Sequence, residues 1–405
     1  MNQTLSNQQL NAIANEFGTP VYVYHAEKIG AQYQKLVDGF KGTDARFFYA
    51  CKALTNPNIL KYIHQLGASL DCVSMNEVQL GIMAGFEPKN ILFTPNCVDL
   101  AEIEEGKQLG VNINIDNISI LEQFGNKYGG SYPVLIRLNP HIMAGGNFKI
   151  STGHIDSKFG ISIHQMRHIE RIVKSTGIKV QGLHMHTGSE IKDINVFLQG
   201  LEVMFEMARH FMDTLEFIDL GSGFKVPYSE DDLETDINAL GQKVTAAFAS
   251  FEKETGKHLQ VWFEPGKFLV SESGYFIVNA NVIKTTTATV FAGVNSGFNH
   301  LIRPMFYESY HYIKNISNPS GSERIYTVVG NICETDTFAW DRKLNEVREG
   351  DHLAFFNAGA YGFEMSSNFN SRFKPAEVLV QDGKPRLIRK RDEFSDLVKN
   401  VIMED

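Results

Sequence analysis

Ala45-Arg46-Phe47-Phe48-Tyr49-Ala50-Cys51-Lys52 is an apolar, β-prone run that ends on a lysine, and Thr55-Asn56-Pro57 just beyond it has the chemistry of a helix start. A buried strand followed by a helix, with one amine left at the strand's carboxyl end, is the repeating unit of an α/β protein. Working outward, short β-branched or aromatic runs recur at 69–73, 91–94, 112–115, 133–138, 180–186, 216–220 and 261–264, making eight with 45–50. Helix-compatible segments separate them. Ser74 and Glu77, for example, have capping-box spacing ahead of 78–84. Eight strands alternating with helices over roughly 220 residues predict a (β/α)8 TIM-type barrel, whose usual length is about 250. Such a barrel places its chemistry at the carboxyl ends of strands. Lys52, His186, Gly221 to Gly223 and Glu264 all close or follow a predicted strand.

After Glu264 the pattern becomes β-rich. Runs at 275–284 and 285–292 are poor in Glu and Lys, and further strand candidates lie at 324–329, 352–356, 376–380 and 384–388, the last two joined by the hairpin signal Asp382-Gly383. The early run Val21-Tyr22-Val23-Tyr24 precedes the eight and is assigned to this second, all-β domain. The expected architecture is therefore α/β plus all-β. A barrel occupies 28–271, and a β-sandwich or β-barrel-like domain is built from 1–27 and 272–405. The segment 144–162, rich in Gly, Ser and Lys, is the expected mobile loop over the site.

Composition narrows the function classes. The chain has 405 residues, 43% of them hydrophobic, enough for a large core and more than one domain. A net charge of −9, from 38 basic and 47 acidic residues, argues against a nucleic-acid surface, which needs clustered positive charge. Small-molecule work fits better. Cys51, Cys72, Cys97 and Cys333 show no CxxC spacing, so neither a disulfide framework nor a zinc ribbon is expected. The polar opening Met1-Asn2-Gln3-Thr4-Leu5-Ser6 has no secretion-signal pattern, and no apolar stretch reaches membrane-spanning length; the expected location is cytoplasmic.

Five further blocks carry chemistry: His184-Met185-His186-Thr187-Gly188-Ser189, Gly221-Ser222-Gly223-Phe224, Glu264-Pro265-Gly266-Lys267, Cys333-Glu334-Thr335-Asp336 and Gly359-Ala360-Tyr361-Gly362. With Lys52 they supply an amine able to form a Schiff base, an imidazole able to stack on a ring, anion-binding turns and a carboxylate, the set a pyridoxal phosphate site requires. Each has a plainer reading. Most lysines are solvated charges, and a glycine turn after a strand is often only a turn. On a strand His184 and His186 would share one face and could ligate a metal, but no third ligand of matching placement is evident, so no metal is expected. Glu264 is either the partner of a pyridine nitrogen or half of a structural ion pair. Cys333, Glu334 and Asp336 read in isolation as a buried thiol beside exposed acids. Arg303, preceding Pro304, is expected in extended backbone, where its guanidinium would suit a substrate carboxylate.

Taken together, Tyr49-Ala50-Cys51-Lys52-Ala53, Asn139-Pro140-His141, Thr152 to Gly160, His184 to Ser189, Asn299-His300-Leu301-Ile302-Arg303-Pro304 and Gly359 to Ser367 resemble, over nearly the whole chain, the fold-type III pyridoxal phosphate decarboxylases, and within them the diaminopimelate decarboxylase family. The resemblance implies a homodimer with two interfacial sites, pyridoxal 5'-phosphate as cofactor, and decarboxylation of meso-2,6-diaminopimelate to L-lysine and CO2 as the last step of lysine biosynthesis. It also implies roles by residue. Lys52 would hold the cofactor and His186 would stack on it. Glu264 would pair with the pyridine nitrogen. Asp71, Ser189, Gly221, Ser222, Gly223, Gly266, Lys267 and Tyr361 would complete the cofactor site. Lys267, Arg303, Tyr307, Glu334 and Tyr361 would bind substrate, and Cys333, from the partner subunit, would protonate the carbanion.

Three positions depart from the family pattern. Lys267 replaces an arginine, keeping the charge but losing the planar fork. Ser222 interrupts a three-glycine turn, and Glu334-Thr335-Asp336 replaces Glu-Ser-Gly-Asp, which leaves Cys333 and Glu334 as stronger candidates than Asp336. Four rivals stand beside the main reading. A decarboxylase of a polyamine precursor (carboxynorspermidine, ornithine or arginine) would lack use for a carboxylate-reading arginine such as Arg303. A racemase would need a tyrosine base opposite the lysine. A non-catalytic regulatory homologue would be expected to have lost Lys52, Glu264 or Cys333. A metal-dependent barrel hydrolase would leave Lys52 unexplained.

Overall fold

Val21–His25 forms the first strand, β1, and the next eight long strands close on themselves. These are β2 (Ala45–Ala50), β3 (Ser69–Cys72), β4 (Ile91–Phe93), β5 (Asn112–Ile115), β6 (Val134–Asn139), β8 (Val180–His184), β9 (Phe217–Asp219) and β10 (Gln260–Phe263); a two-residue strand, β7 (Ile161–Ser162), pairs with β6. The computed structural model describes residues 4–142, 157–186, 188, 193–229 and 231–403. Neighbouring strands are parallel throughout, and the β5–β6 and β10–β2 pairings complete the ring, with Ile115 opposite Ile136 and Val261 opposite Ala45. The expected eight-stranded barrel is present.

Local chemistry sets the elements. Asn56 caps the helix Pro57–Gln65 by accepting from Asn58 N, with Pro57 in the first turn, where its missing N–H is no loss. Ser74 caps Met75–Ala84 through Glu77 N, but the Glu77 carboxylate reaches back to Val73 N rather than to Ser74 itself. Strand six of the barrel ends at His184, two residues short of its expected end, so His186 stands in the loop above it.

The barrel interior is graded. At its amino end Phe48, Leu92, Leu135, Phe217 and Trp262 form an apolar plug. The Phe217 and Trp262 rings are parallel with centroids 3.5 Å apart, and Phe48 lies 4.4 Å from Trp262. Gly182 makes room for this stack, since a Cβ there would stand 2.1 Å from the Phe217 ring. Burying such rings stabilises the fold by about 2–3 kcal/mol each. Above the plug the interior turns polar, with Asp71, Arg137, His184, Asp219 and Glu264 all buried. A plug that supplies stability below leaves the upper layer free for function.

The chain divides into two compact units. The barrel unit comprises Ala31–Val226 and Leu233–Phe268; the other takes Met1–Gly30, Pro227–Asp232 and Leu269–Asp405. The second unit is built on a nine-stranded mixed sheet of β1 with β11 (Gly274–Thr285), β12 (Val290–Val294), β13 (Ile313–Asn315), β14 (Glu323–Val329), β15 (Thr337–Asn345), β16 (His352–Phe355), β17 (Ala376–Gln381) and β18 (Lys384–Arg389). β1 lies between β11, antiparallel, and β17, parallel. Val21, Val23, Tyr275, Ile277, Val378 and Val380 form its core, against which the helix Asn7–Phe17 packs Leu10 and Ile13.

The expected β domain is present, with the helix Asn7–Phe17, opened by a Ser6–Gln9 capping box, packed on its sheet. Two expectations for this unit are corrected. The run 285–292 is not one strand, because Thr286 N bonds Thr289 O in a turn joining β11 to β12. Arg303 is not in extended backbone but opens the short helix Arg303–Tyr307, where Pro304 occupies the first turn. β13 and β15 were not foreseen. Of the loop 144–162, residues 144–156 lie outside the described residues, while Ile161–Ser162 forms β7.

Candidate active site

The carboxyl end of the barrel collects most of the predicted cofactor residues. Lys52 follows β2 in a single 3-10 turn, Cys51–Ala53, between two buried neighbours, and its side chain is 42% exposed. Its Nζ lies 3.4 Å from Asp71 Oδ2 at the end of β3. An amine beside a buried carboxylate and partly exposed to solvent is held in place yet reachable. The neighbouring strand β10, paired with β2, delivers Glu264. Gly266 lets the turn after it press against Lys52's strand, since a Cβ there would meet Ala50 Cβ at 3.0 Å and Ala53 Cβ at 3.3 Å. Lys267, half-buried, opens the following helical turn Lys267–Val270.

His186 is oriented by the glycine turn. Ser222 N donates to His186 Nδ1 at 3.3 Å, so the ring accepts at Nδ1 and carries its proton on Nε2. Gly221 has φ +63, and a Cβ there would stand 2.6 Å from that same Nδ1; glycine is therefore required for the imidazole and the turn to meet. Burial, then the Arg137 guanidinium, brings His186 down to about 3, so it is neutral at physiological pH and presents an uncharged ring face. Gly223, at φ +116, continues the turn. Ser189 lies outside the described residues.

Beneath these residues three buried groups meet: His184, Asp219 and Glu264, whose nearest N and O atoms all lie within 4.8 Å of one another. The metal reading paired His184 with His186, but in the fold His184 turns to two carboxylates, and His186 joins no such cluster among the described residues. Glu264 Oε2 is 3.3 Å from His184 Nε2, while Glu264 Oε1 and Asp219 Oδ2 have no partner. Two sealed carboxylates this close cannot both ionise. Burial and the neighbouring Glu264 charge push Asp219 well above the carboxylate range and raise Asp71 to about 7, the latter against the pull of Lys52. Burial would raise Glu264 as well, but His184, Lys52 and His186 outweigh it and hold it below the usual range. His184 and His186 are themselves kept neutral by burial, so their effect on Glu264 is that of oriented dipoles rather than full charges, and Lys52 is the one full charge of the three. Glu264 is thus the anion of the cluster, and it has a free buried oxygen.

Sequence reasoning missed Arg137. Its guanidinium is buried, 4.7 Å from the centre of the Phe159 ring, in the field of Glu264, Asp116, Asp71 and Asp219. The available signal was a lone arginine inside the otherwise apolar strand Val134-Leu135-Ile136-Arg137-Leu138.

In the other unit Arg303, Tyr307 and Tyr361 come together. The Arg303 guanidinium lies 5.6 Å from the Tyr307 ring and 5.9 Å from the Tyr361 ring. It is 7% exposed, Nη2 donates to Ser309 Oγ at 3.3 Å, and Nε has no partner. A buried, ring-flanked guanidinium with an unused N–H is built to receive an anion. Cys333 and Glu334 are on a separate loop and both exposed, whereas Asp336 is buried. The expected buried thiol beside exposed acids is therefore corrected: the acid at 336 is the buried member, because backbone N–H groups bind it.

The barrel residues fit pyridoxal phosphate. There is a reachable amine, a neutral imidazole locked in one tautomer, glycine turns that side chains would block, and a buried carboxylate with a spare oxygen. Residues 26–271 match the family model described as pyridoxal-dependent decarboxylase, pyridoxal binding domain. A diaminopimelate decarboxylase from Methanothermobacter thermautotrophicus is 38% identical over 397 residues, covering 96% of this chain and 92% of that protein. The chain belongs to the diaminopimelate decarboxylase family.

Other diaminopimelate decarboxylases, from Campylobacter jejuni at 32% identity and Archaeoglobus fulgidus at 33%, align over 95% and 98% of the chain and 96% of each relative. The crystal structure of the Helicobacter pylori family member complexed with L-lysine superposes with a TM-score of 0.89 at 30% identity, covering 96% of this chain and 98% of that one. As a family member the chain is a carboxy-lyase that uses pyridoxal phosphate.

Proposed function

We propose that the protein decarboxylates meso-2,6-diaminopimelate to L-lysine and CO2, the step that completes lysine biosynthesis by the diaminopimelate route. The buried Arg303 guanidinium, with its unpartnered Nε between Tyr307 and Tyr361, carries the choice of substrate: a second carboxylate on the amino acid is what it is built to read. A monocarboxylic amine such as ornithine would leave that cation buried and unanswered, at a cost of several kcal/mol. The relatives' names and the L-lysine complexes of the Helicobacter pylori and Methanocaldococcus jannaschii structures support the same assignment.

Pyridoxal phosphate, when bound, supplies the electron sink that allows the C–CO2 bond to break. The chain's residues hold and orient it. Lys52 would carry it on its amine, with Asp71 keeping that amine in place. His186 would lie against the ring, and Glu264 would hold a proton on the ring nitrogen. Gly221, Ser222, Gly223, Gly266, Lys267, Tyr361 and Ser189 would take the phosphate. Lys267 carries charge without a bidentate fork, so orientation there falls to backbone N–H groups. Arg303, Tyr307 and Glu334 would bind the substrate's distal end, and Lys267 and Tyr361 would also bind substrate. Cys333 would deliver the proton that replaces CO2.

The catalytic assembly is read as a homodimer with Cys333 supplied across the interface, which suits a thiol and carboxylate standing exposed on a single chain. Four cysteines without a disulfide suit the reducing cytoplasm, and among the described residues no helix is long and apolar enough to cross a membrane. The test is L-lysine release from meso-diaminopimelate by the cofactor-loaded protein, with L-ornithine and L-arginine in parallel. Lysine from the first alone is expected; turnover of the other two at equal efficiency would sink the assignment.

A further inference from the structure

The loop between β14 and β15 turns Cys333 and Glu334 outward, while Ile332 before them and Asp336 after them are buried. Two anchors hold it. Asp336 accepts from Phe298 N at 2.6 Å and from Ile332 N at 3.1 Å, and its carbonyl accepts from Gly330 N at 2.8 Å. The carboxylate needs glycine on both sides, since a Cβ at Gly330 would stand 2.0 Å from Asp336 Oδ2 and one at Gly297 2.6 Å from it. The second anchor is Asn370. Cys333 N donates to Asn370 Oδ1 at 2.9 Å, and Asn370 Nδ2 donates to Cys333 Sγ at 3.1 Å. The first bond settles the second: with the amide oxygen turned to the backbone N–H, the NH2 group must face the sulfur.

Asn370 takes a backbone conformation that side-chain-bearing residues seldom adopt. Its φ is +56, and Ser371 follows at φ +55. Asparagine is among the few such residues that tolerate this region. Its segment is docked onto the same surface as the cysteine loop, with Arg372 Nη2 donating to Asn331 O at 3.3 Å and the Phe369 ring 5.6 Å from that of Phe298. An amide donor aimed at a sulfur favours the thiolate over the thiol and directs the S–H bond away from the amide.

We propose that Asn370 is a positioning residue for Cys333: it fixes the sulfur and stabilises the thiolate left when Cys333 gives up its proton. This rests on the reading of Cys333 as the proton donor. In that step the S–H bond breaks, a C–H bond forms on the substrate carbon, the sulfur keeps the electron pair, and water later returns the proton. The N–H of Asn370 bonds the sulfur most strongly when it is charged, so the residue favours the transfer without touching substrate.

Asn370→Asp tests this directly. It keeps the size, the tolerance of φ +56 and the acceptor for Cys333 N, but replaces the donor facing the sulfur with an anionic oxygen. The readout is the pH dependence of iodoacetamide alkylation at Cys333, followed by peptide mass spectrometry on the holoenzyme in a Cys97→Ser background that removes the other exposed thiol. The alkylation midpoint is expected to rise by about one pH unit or more, slowing the reaction about tenfold at pH 7.5, and kcat to fall while KM holds. Should the aspartate variant fail to fold, Asn370→Gly accepts the same φ and lacks the donor; its midpoint should also rise. An unchanged midpoint in whichever variant folds overturns the proposal. Cys333→Ser with undiminished turnover would instead overturn the proton-donor reading on which it rests, whatever Asn370 does to the thiol.

Discussion

His184 Nε2 stands 3.3 Å from Glu264 Oε2 with both side chains all but sealed from solvent, and the second Glu264 oxygen faces no partner. On the proposed reading the pair would be half of an arrangement completed by the cofactor's ring nitrogen. Glu264→Gln keeps the volume and removes the charge. Turnover should fall by about 10²–10⁴, with little change in thermal stability measured without cofactor. Unaltered kcat would remove Glu264 from the chemistry.

Lys52 is the reachable amine of the barrel mouth, and its substitution separates holding the cofactor from binding substrate. In Lys52→Ala, borohydride reduction should no longer trap the cofactor covalently on the chain, and lysine release should drop by about 10³ or more. A covalent adduct on another lysine, with activity retained, would refute the assignment.

Asp71 and His186 oppose each other in their effect of pH on stability. Asp71 is raised to about 7, so between its unfolded value and 7 the native state holds a proton that the unfolded chain has lost, and stability falls as pH rises through that window. His186, brought down to about 3, does the reverse: the unfolded chain binds a proton below about 6.5 that the native state refuses, so stability falls as pH falls. Removing the first exposes the second. Asp71→Asn should gain stability relative to the parent protein by about 1.4 kcal/mol per pH unit from pH 4 to 7. Denaturant titrations without cofactor at pH 5 and 7 measure this; a constant difference would mean Asp71 is ionised throughout.

Arg303→Lys keeps the charge between Tyr307 and Tyr361 but loses the fork. For meso-diaminopimelate, kcat/KM should fall about 10- to 100-fold, chiefly through KM, the equivalent of one charge-assisted hydrogen bond of about 1.5–3 kcal/mol. Equal efficiency of the two proteins would move recognition of the distal carboxylate elsewhere.

Much of this was legible in the chain because its signals are local. The run ending at Lys52, the glycine turn at 221–223 and Glu264-Pro265-Gly266 each mark a strand end by their own residues, and a barrel turns strand ends into one face. The pairing of β1 with β17, 355 residues apart at Val21 and Ala376, could only be assigned by exclusion, since a lone strand carries no record of its partners. The misplaced 285–292 run shows the same limit at short range: its threonines suit a strand and a turn equally well, and the Thr286–Thr289 bond decides.

Residue types and their order were enough to specify the barrel, the amine and the carboxylate, because hydrophobic periodicity and turn chemistry act over a few neighbours. Charge states were not. That Asp219 is driven to keep its proton while Glu264 gives its up, that Arg137 sits among four acidic side chains, and that Asp336 is buried while Cys333 is exposed all depend on residues distant in the chain being brought close together and away from solvent. Electrostatic energies in such a medium are set by separation and burial, quantities that exist only once the chain has folded.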